Sequence, residues 1–231
     1  SFWANNIYLI IVQKLIKFLL KVNGLTNLRI NKKKFIYLIS PNKIYPQFYH
    51  DLKQVLETDK IALFQLRLKK YSLRQKIVIG KKISQICKKK NVKFIVNDEP
   101  MLSKKLNADG CHLGQKDMSL KNARKIIGNK IIGITCHNSI KLAKAAIKEN
   151  ASYLAFGAFF PTKTKKVKFK ANTKILNKIK NLTKIPIVAI GGININNYKK
   201  LLLNNANLLA ISGYVWNNKK YKPLETIKKL K

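Results

Sequence analysis

The 231-residue chain predicts an α/β fold of the (β/α)8 TIM-barrel type with an extra N-terminal helical segment, and three observations carry that prediction. Eight short apolar runs recur from Phe35 onward: 35–39, 61–66, 93–96, 110–113, 131–134, 153–156, 186–190 and 208–211. The stretches between them place apolar residues at helical spacing, as with Ile77, Ile83, Ile86 and Cys87, or Leu142, Ala145 and Ala146. The runs are apolar on successive residues, as strands are when both faces of a parallel sheet are covered. Eight such units in roughly 200 residues lie near the lower size limit of the barrel. A doubly wound open sheet is the alternative, but it uses fewer strands and often opens on a glycine-rich loop. Here Ser40-Pro41-Asn42-Lys43 follows the first run. With no internal repeat or low-complexity linker, the chain divides into an extension, 1–32, and one barrel domain, 33–231.

The extension begins at Ser1 without a Met, as a partial or processed chain would, and is apolar but interrupted by Gln13, Lys14 and Lys17. Its unbroken apolar run, Ile7–Val12, falls well short of the ~20 residues of a membrane span. A basic start and a small-residue cleavage site are both lacking, so a signal peptide does not fit. The segment is expected to be an amphipathic helix packed on the domain, with an interfacial helix as the alternative. Within the domain, Ser72 and Gln75 have capping-box spacing, Asn138-Ser139 can start a helix, and Pro223 suits a first helical turn. Gly128-Asn129 can end the helix before the fifth run, and Asn194 can start one after the seventh.

Charge sets the next constraint. There are 48 basic and 9 acidic residues, for a formal net charge of +39. Only Arg29, Arg67, Arg74 and Arg124 are arginines, whereas nucleic-acid binders usually mix Arg with Lys for bidentate and stacking contacts. Lys, Asn and Ile, all with A/T-rich codons, are abundant in every segment, and no basic arm stands apart. Biased codon usage therefore competes with polyanion binding as the source of the charge, and no specific nucleic-acid partner is expected. The excess should still steer anionic small molecules toward the protein. Cys87, Cys111 and Cys136 lack metal-ligand spacing and read as free thiols of a reducing, cytoplasmic setting.

In a barrel, chemistry sits where strands end. Asn97-Asp98 follows the third run, and Gly114-Gln115-Lys116-Asp117 follows the fourth. Two carboxylates at neighbouring strand ends suit Mg²⁺ held against a phosphate; capping of the following helices is the other reading of Asp98 and Asp117. Alternation past the second run sets Gln65, Arg67 and Lys69 on one side and Leu66 and Leu68 on the other, so the polar three face an anionic ligand. Thr135-Cys136-His137 is expected to be a loop, with His137 a structural hydrogen-bond partner. His112, inside the fourth run, reads as a satisfied core residue, and His50 on the first helix carries no functional signal. Pro161-Thr162-Lys163-Thr164-Lys165 can close over a charged ligand. Gly191-Gly192 and Ile211-Ser212-Gly213, after the seventh and eighth runs, form a candidate phosphate nest of backbone N–H groups. An acidic pair, a basic trio and a separate nest suit two phosphorylated substrates, and no nucleophile with an adjacent base stands out.

These motifs resemble a known family. QLRLK at 65–69, VND at 96–98, ADGCHLGQKD at 108–117, PTKTK at 161–165, AIGGI at 189–193 and IS at 211–212 are similar, in order and over about 35–215, to thiamine-phosphate synthases. The resemblance implies a transferase of thiamine biosynthesis that couples hydroxymethylpyrimidine diphosphate to a thiazole phosphate, releasing pyrophosphate. It implies diphosphate departure first, giving a pyrimidine cation that the thiazole nitrogen attacks. By the same resemblance Asp98 and Asp117 hold Mg²⁺, while Gln65, Arg67, Lys69 and Asn97 grip the pyrimidine diphosphate. Thr162, Thr164 and Lys165 meet both substrates, and the thiazole phosphate also meets Gly192, Ile211 and Ser212. Lys69, Lys165 and Thr135 take the catalytic positions. Thr135 stands where the family usually has Ser, keeping a hydroxyl, and Ala158 replaces a common Pro, which would loosen the following loop. A thiazole tautomerase-like relative and a non-enzymatic polyanion-binding barrel are the alternatives. Small phosphorylated substrates, no transmembrane span and possible homo-oligomers complete the expectations.

Overall fold

The computed structural model describes residues 28, 31, 33–162 and 169–231. Eight strands run β1 Ile36–Ile39, β2 Ile61–Leu66, β3 Lys93–Asn97, β4 Gly110–Leu113, β5 Ile131–His137, β6 Tyr153–Gly157, β7 Ile187–Ile190 and β8 Leu208–Ile211. All pair in parallel with their sequence neighbours, and β8 closes on β1 to complete the barrel. Helices follow the strands: α1 Phe48–Leu56, α2 Leu73–Lys89, α3 Pro100–Lys105, α4 Leu120–Ile127, α5 Ile140–Lys148, α6 Thr173–Leu182, α7 Tyr198–Leu203, α8 Gly213–Trp216 and α9 Pro223–Lys229.

Strand alternation divides the core in two. Ile36, Leu38, Phe64, Leu66, Phe94 and Val96 point outward into the layer under the helices. Tyr37, Ile39, Leu63, Ile95, Ile131, Tyr153, Ala155, Val188, Leu208 and Ala210 fill the barrel itself. Leu28 packs against this inner cluster. Of the expected N-terminal helical extension, 1–32, residues 1–27, 29, 30 and 32 lie outside the described residues.

Local chemistry sets most helix ends where the sequence puts them. Ser72 and Gln75 make the reciprocal capping box of α2, Ser139 caps α5, Pro223 opens α9, and Gly128 ends α4 at φ 60°. Three expectations need correction. β5 continues through Thr135, Cys136 and His137, because β6 supplies partners as far as Phe156 across a register shift. Asn194 heads a turn whose carbonyl accepts from Asn197 and Tyr198, and α7 starts only at Tyr198. On α5 the buried residues are Ala143 and Ala146, with Leu142 half-buried and Ala145 exposed.

Two contacts fasten the last helix across the meeting of β8 and β1. Lys60 Nζ donates to the carbonyls of Ile227 at 3.3 Å, Lys228 at 3.1 Å and Leu230 at 2.6 Å, satisfying groups a helix end leaves open. The Tyr198 hydroxyl, on α7, accepts from the Lys231 N–H at 2.9 Å. Among the described residues no helix is long and apolar enough to cross a membrane.

Candidate active site

The β3–β4 pairing brings the acidic exits together. Asn97 lies opposite His112, so the Asp98 N–H donates to the His112 carbonyl at 2.8 Å. Asp98 adopts φ 62°, and this turn directs the chain into the six-residue α3. Asp117 closes the turn after β4, accepting from the Gly114 N–H at 2.7 Å. Neither carboxylate caps a helix: Ser119 caps α4, and Glu99 precedes α3 without a side-chain cap bond. The capping reading is therefore set aside.

The two carboxyls instead bond each other and share their charge with Lys69. Lys69 Nζ lies 3.1 Å from Asp98 Oδ2. Burial pushes Asp98 up, but the hydrogen bond from Asp117 and the Lys69 ammonium outweigh it and leave its pKa below the ordinary value. Asp117, raised by burial and by the Asp98 carboxyl opposite, is the harder of the two to ionise.

The basic exit of β2 stands beside this pair. Leu66 and Leu68 bury outward, while Gln65 points into the barrel, as alternation predicts. Burial lowers the Arg67 pKa, and the charge of nearby Asp98 partly restores it. Arg67 Nη1 also donates to Asn42 Oδ1 at 3.2 Å.

Ser40, a residue the sequence reading passed over, joins this half of the site to the nest. It is 2% exposed at the end of β1. Its hydroxyl accepts from the Arg67 N–H at 2.9 Å, and its carbonyl accepts from Ser212 Oγ at 3.1 Å. In the nest, Gly191 and Gly192 take φ 103° and 64°. The Gly192 carbonyl accepts from Asn197 Nδ2 at 3.0 Å and Asn194 Nδ2 at 3.3 Å, which fixes the turn. Ile211 buries its side chain in the outer layer, so only its backbone can meet a ligand.

The segment after β6 leans on that nest. Phe159 and Phe160 donate to the carbonyls of Ile190 and Gly191, both at 3.1 Å. The Ala158 N–H donates to the Phe169 carbonyl at 3.0 Å, a bond that Pro could not make. Phe169 stacks on His137, ring centroids 4.2 Å apart. Thr162 is half-buried at this edge, while Thr164 and Lys165 lie outside the described residues.

Thr135 enters the site from β5. Its carbonyl accepts from Gln115 Nε2, and its hydroxyl lies 2.9 Å from His112 Nε2. His112 has both ring nitrogens bonded, as expected, and faces the barrel interior. Burial raises all three thiols, Cys111 and Cys136 to about 12, which removes them as nucleophiles at neutral pH. The arrangement thus offers charge stabilisation, hydroxyls and backbone donors for anions.

Comparison with known proteins places these features in context. The sequence pattern described as thiamine monophosphate synthase matches residues 36–215. A thiamine-phosphate synthase of Pelagibacter ubique is 68% identical over 200 residues, covering 86% of this chain and 97% of that protein. One from Rhodospirillum centenum is 39% identical over 185 residues, covering 79% and 89%. Among solved structures, thiamine phosphate pyrophosphorylase from Pyrococcus furiosus superposes with a TM-score of 0.76 at 29% identity, covering 86% of this chain and 94% of that one.

Proposed function

The chain belongs to the thiamine monophosphate synthase family, and from that premise we propose how its own residues carry out the coupling. The enzyme is a transferase that joins hydroxymethylpyrimidine diphosphate to hydroxyethylthiazole phosphate, giving thiamine phosphate and pyrophosphate. The bond between the pyrimidine methylene carbon and the diphosphate oxygen breaks with its electron pair leaving on pyrophosphate. The thiazole nitrogen then forms the new carbon–nitrogen bond. Such a reaction calls for stabilisation of a departing anion more than for a base.

The observation that carries this reading is the Asp98–Asp117 pair at adjacent strand ends, with Lys69 3.1 Å from Asp98. Among the described residues no three His, Cys, Asp or Glu side chains gather as a self-sufficient metal centre. Two carboxylates nevertheless fit Mg²⁺, which commonly takes one or two of them together with substrate phosphate oxygens and waters. Asp98 and Asp117 would hold it, and the cation would offset charge on the departing diphosphate. Arg67 and Lys69 bind the diphosphate oxygens, and Asn97 and Gln65 orient the pyrimidine. The backbone of Gly192 and Ile211, with the Ser212 hydroxyl, receives the thiazole phosphate. Thr162, Thr164 and Lys165 bind both substrates, and Thr135 offers its hydroxyl from β5, the strand paired with β6.

Incubation of the folded chain with both substrates and Mg²⁺ should yield thiamine phosphate and pyrophosphate in equal amounts. Chelation of the metal, or Asp98→Asn, should suppress both together. A folded protein that gives neither product would refute the reading.

A further inference from the structure

Ser40 ends β1 in a way that turns its peptide carbonyl over to the nest. In a parallel pair, a residue's N–H and carbonyl bond the residues on either side of its partner. Ile39 pairs with Gln65, so the next step sets Ser40 opposite Leu66. The Ser40 N–H follows the pattern and donates to the Gln65 carbonyl at 2.9 Å. The pattern would give the Arg67 N–H to the Ser40 carbonyl, but the Ser40 hydroxyl accepts that bond at 2.9 Å. The hydroxyl returns its own proton toward the Arg67 carbonyl at 3.4 Å. The side chain thus stands in for the backbone, and the Ser40 carbonyl accepts from Ser212 Oγ at 3.1 Å instead. Asn42, two residues on, accepts from Arg67 Nη1 at 3.2 Å, so the exit of β1 holds Arg67 by both its backbone and its guanidinium.

Proton counting makes this link responsive to ligand. A serine hydroxyl has one proton to donate, and Ser212 gives it to the Ser40 carbonyl. A phosphate in the nest offers charged oxygens, whose hydrogen bonds are roughly twice as strong as neutral ones. The Ser212 proton cannot serve both acceptors. Once it turns to the phosphate, the carbonyl of a residue only 2% exposed loses that donor, which is costly. The Arg67 N–H, the donor that the strand pattern assigns to this carbonyl, lies beside it.

We propose that Ser40 is a positioning residue that couples the two phosphate subsites: filling the nest moves the Ser212 proton off the Ser40 carbonyl, which then shares the Arg67 N–H and fixes Arg67 for the diphosphate. The inference rests on the ligands assigned above to Arg67 and Ser212 and extends them to a residue that touches neither ligand.

Equilibrium titration of the full chain tests it with a pair that cannot react: pyrophosphate with Mg²⁺ for the Arg67 side, and hydroxyethylthiazole phosphate for the nest. The quantity read is the ratio of the pyrophosphate Kd without thiazole phosphate to that with it at saturation. In Ser40→Ala the Arg67 N–H has only the carbonyl to go to, so no bond is left to exchange. Repulsion between the two anions is common to both chains. The wild-type ratio should therefore exceed that of Ser40→Ala by about fivefold, near the lower end of ordinary coupling between sites. Pyrophosphate should shift the thiazole phosphate Kd by the same factor. Equal ratios in the wild type and folded Ser40→Ala would overturn the proposal, because a merely structural serine weakens each ligand without moving the ratio. Ser212→Ala removes the same proton from the other end, so its ratio should match that of Ser40→Ala and the double variant should fall no further. A further fall would show two independent effects and equally overturn the coupling. If Ser40→Ala does not fold, Ser212→Ala is read against the wild type in its place. A wild type that binds neither ligand would refute the subsites themselves and the coupling with them. One that binds both and forms thiamine phosphate, with ratios unmoved by the variants, would keep the function and lose only the coupling.

Discussion

Asp117 is the residue that best separates a cation site from a carboxylate serving only its turn. Its pKa is raised, so folding favours its protonated form. That stabilisation is complete below the ordinary carboxylate range and is lost as pH rises through the raised value. At neutral pH the ionised carboxyl therefore costs stability, and Asp117→Asn should raise the metal-free Tm while increasing the Mg²⁺ needed for turnover. Thermal melts in chelator at pH 7, with Mg²⁺ titrations of rate, check both. Asp98 has the opposite sign: its pKa is lowered, so its contribution is present above the ordinary range and lost as pH falls through the lowered value. Lys69, half-exposed, should matter to chemistry and little to the fold. Lys69→Met should cost about 1.5–3 kcal/mol of transition-state binding, a slowing of roughly ten- to a hundredfold, with Tm unchanged. Asp98, Asp117 and Arg67 were legible in the sequence because acids and arginines are scarce and these sit at strand ends, and Lys69 because alternation sets it on the side of Arg67. Ser40 was not, since a lone serine acquires meaning only when Arg67 and Ser212 meet it through space.

At the scale of elements, the end of β7 and the segment after β6 work as one unit. A Cβ on Gly192 would lie 2.3 Å from the Pro161 carbonyl oxygen, and its φ of 64° already disfavours any side chain. Gly192→Val should thus lose about 1–2 kcal/mol from backbone conformation alone, before the clash with Pro161 is counted. It should raise the KM for thiazole phosphate more than that for the pyrimidine diphosphate; equal losses for both would point to general misfolding instead. Steady-state kinetics beside a denaturant melt tell these apart. Strand positions were readable to within a residue or so because runs covered on both faces leave a continuous apolar signature. β5 was the exception: Thr135 and His137 look like loop residues until β6 provides partners beside them. The Tyr37–Tyr153 contact, 116 residues apart in sequence, has no local signature at all.

For the whole molecule, the charge is the dominant fact. Among the described residues lysines hold the carboxylates of Glu57, Asp59, Asp98, Glu99 and Asp109, and the formal net charge of +39 leaves a large cationic excess to act on phosphorylated substrates at a distance. Raising ionic strength from about 0.1 to 1 M shortens the screening length from roughly 10 to 3 Å. The KM of both substrates should therefore rise with salt while kcat holds nearly constant, as kinetics at several salt concentrations would register. The clasp formed by Lys60 and Tyr198 has a mechanical meaning of its own. A closed barrel has a seam, where the last strand returns to the first, and here the final helix is buckled over it from both sides. Opening in the native state should start where the buckle is undone. Hydrogen exchange in Lys60→Met should quicken together in Ile36–Leu38 and Leu209–Ile211, while the far wall at β4 and β5 keeps its protection.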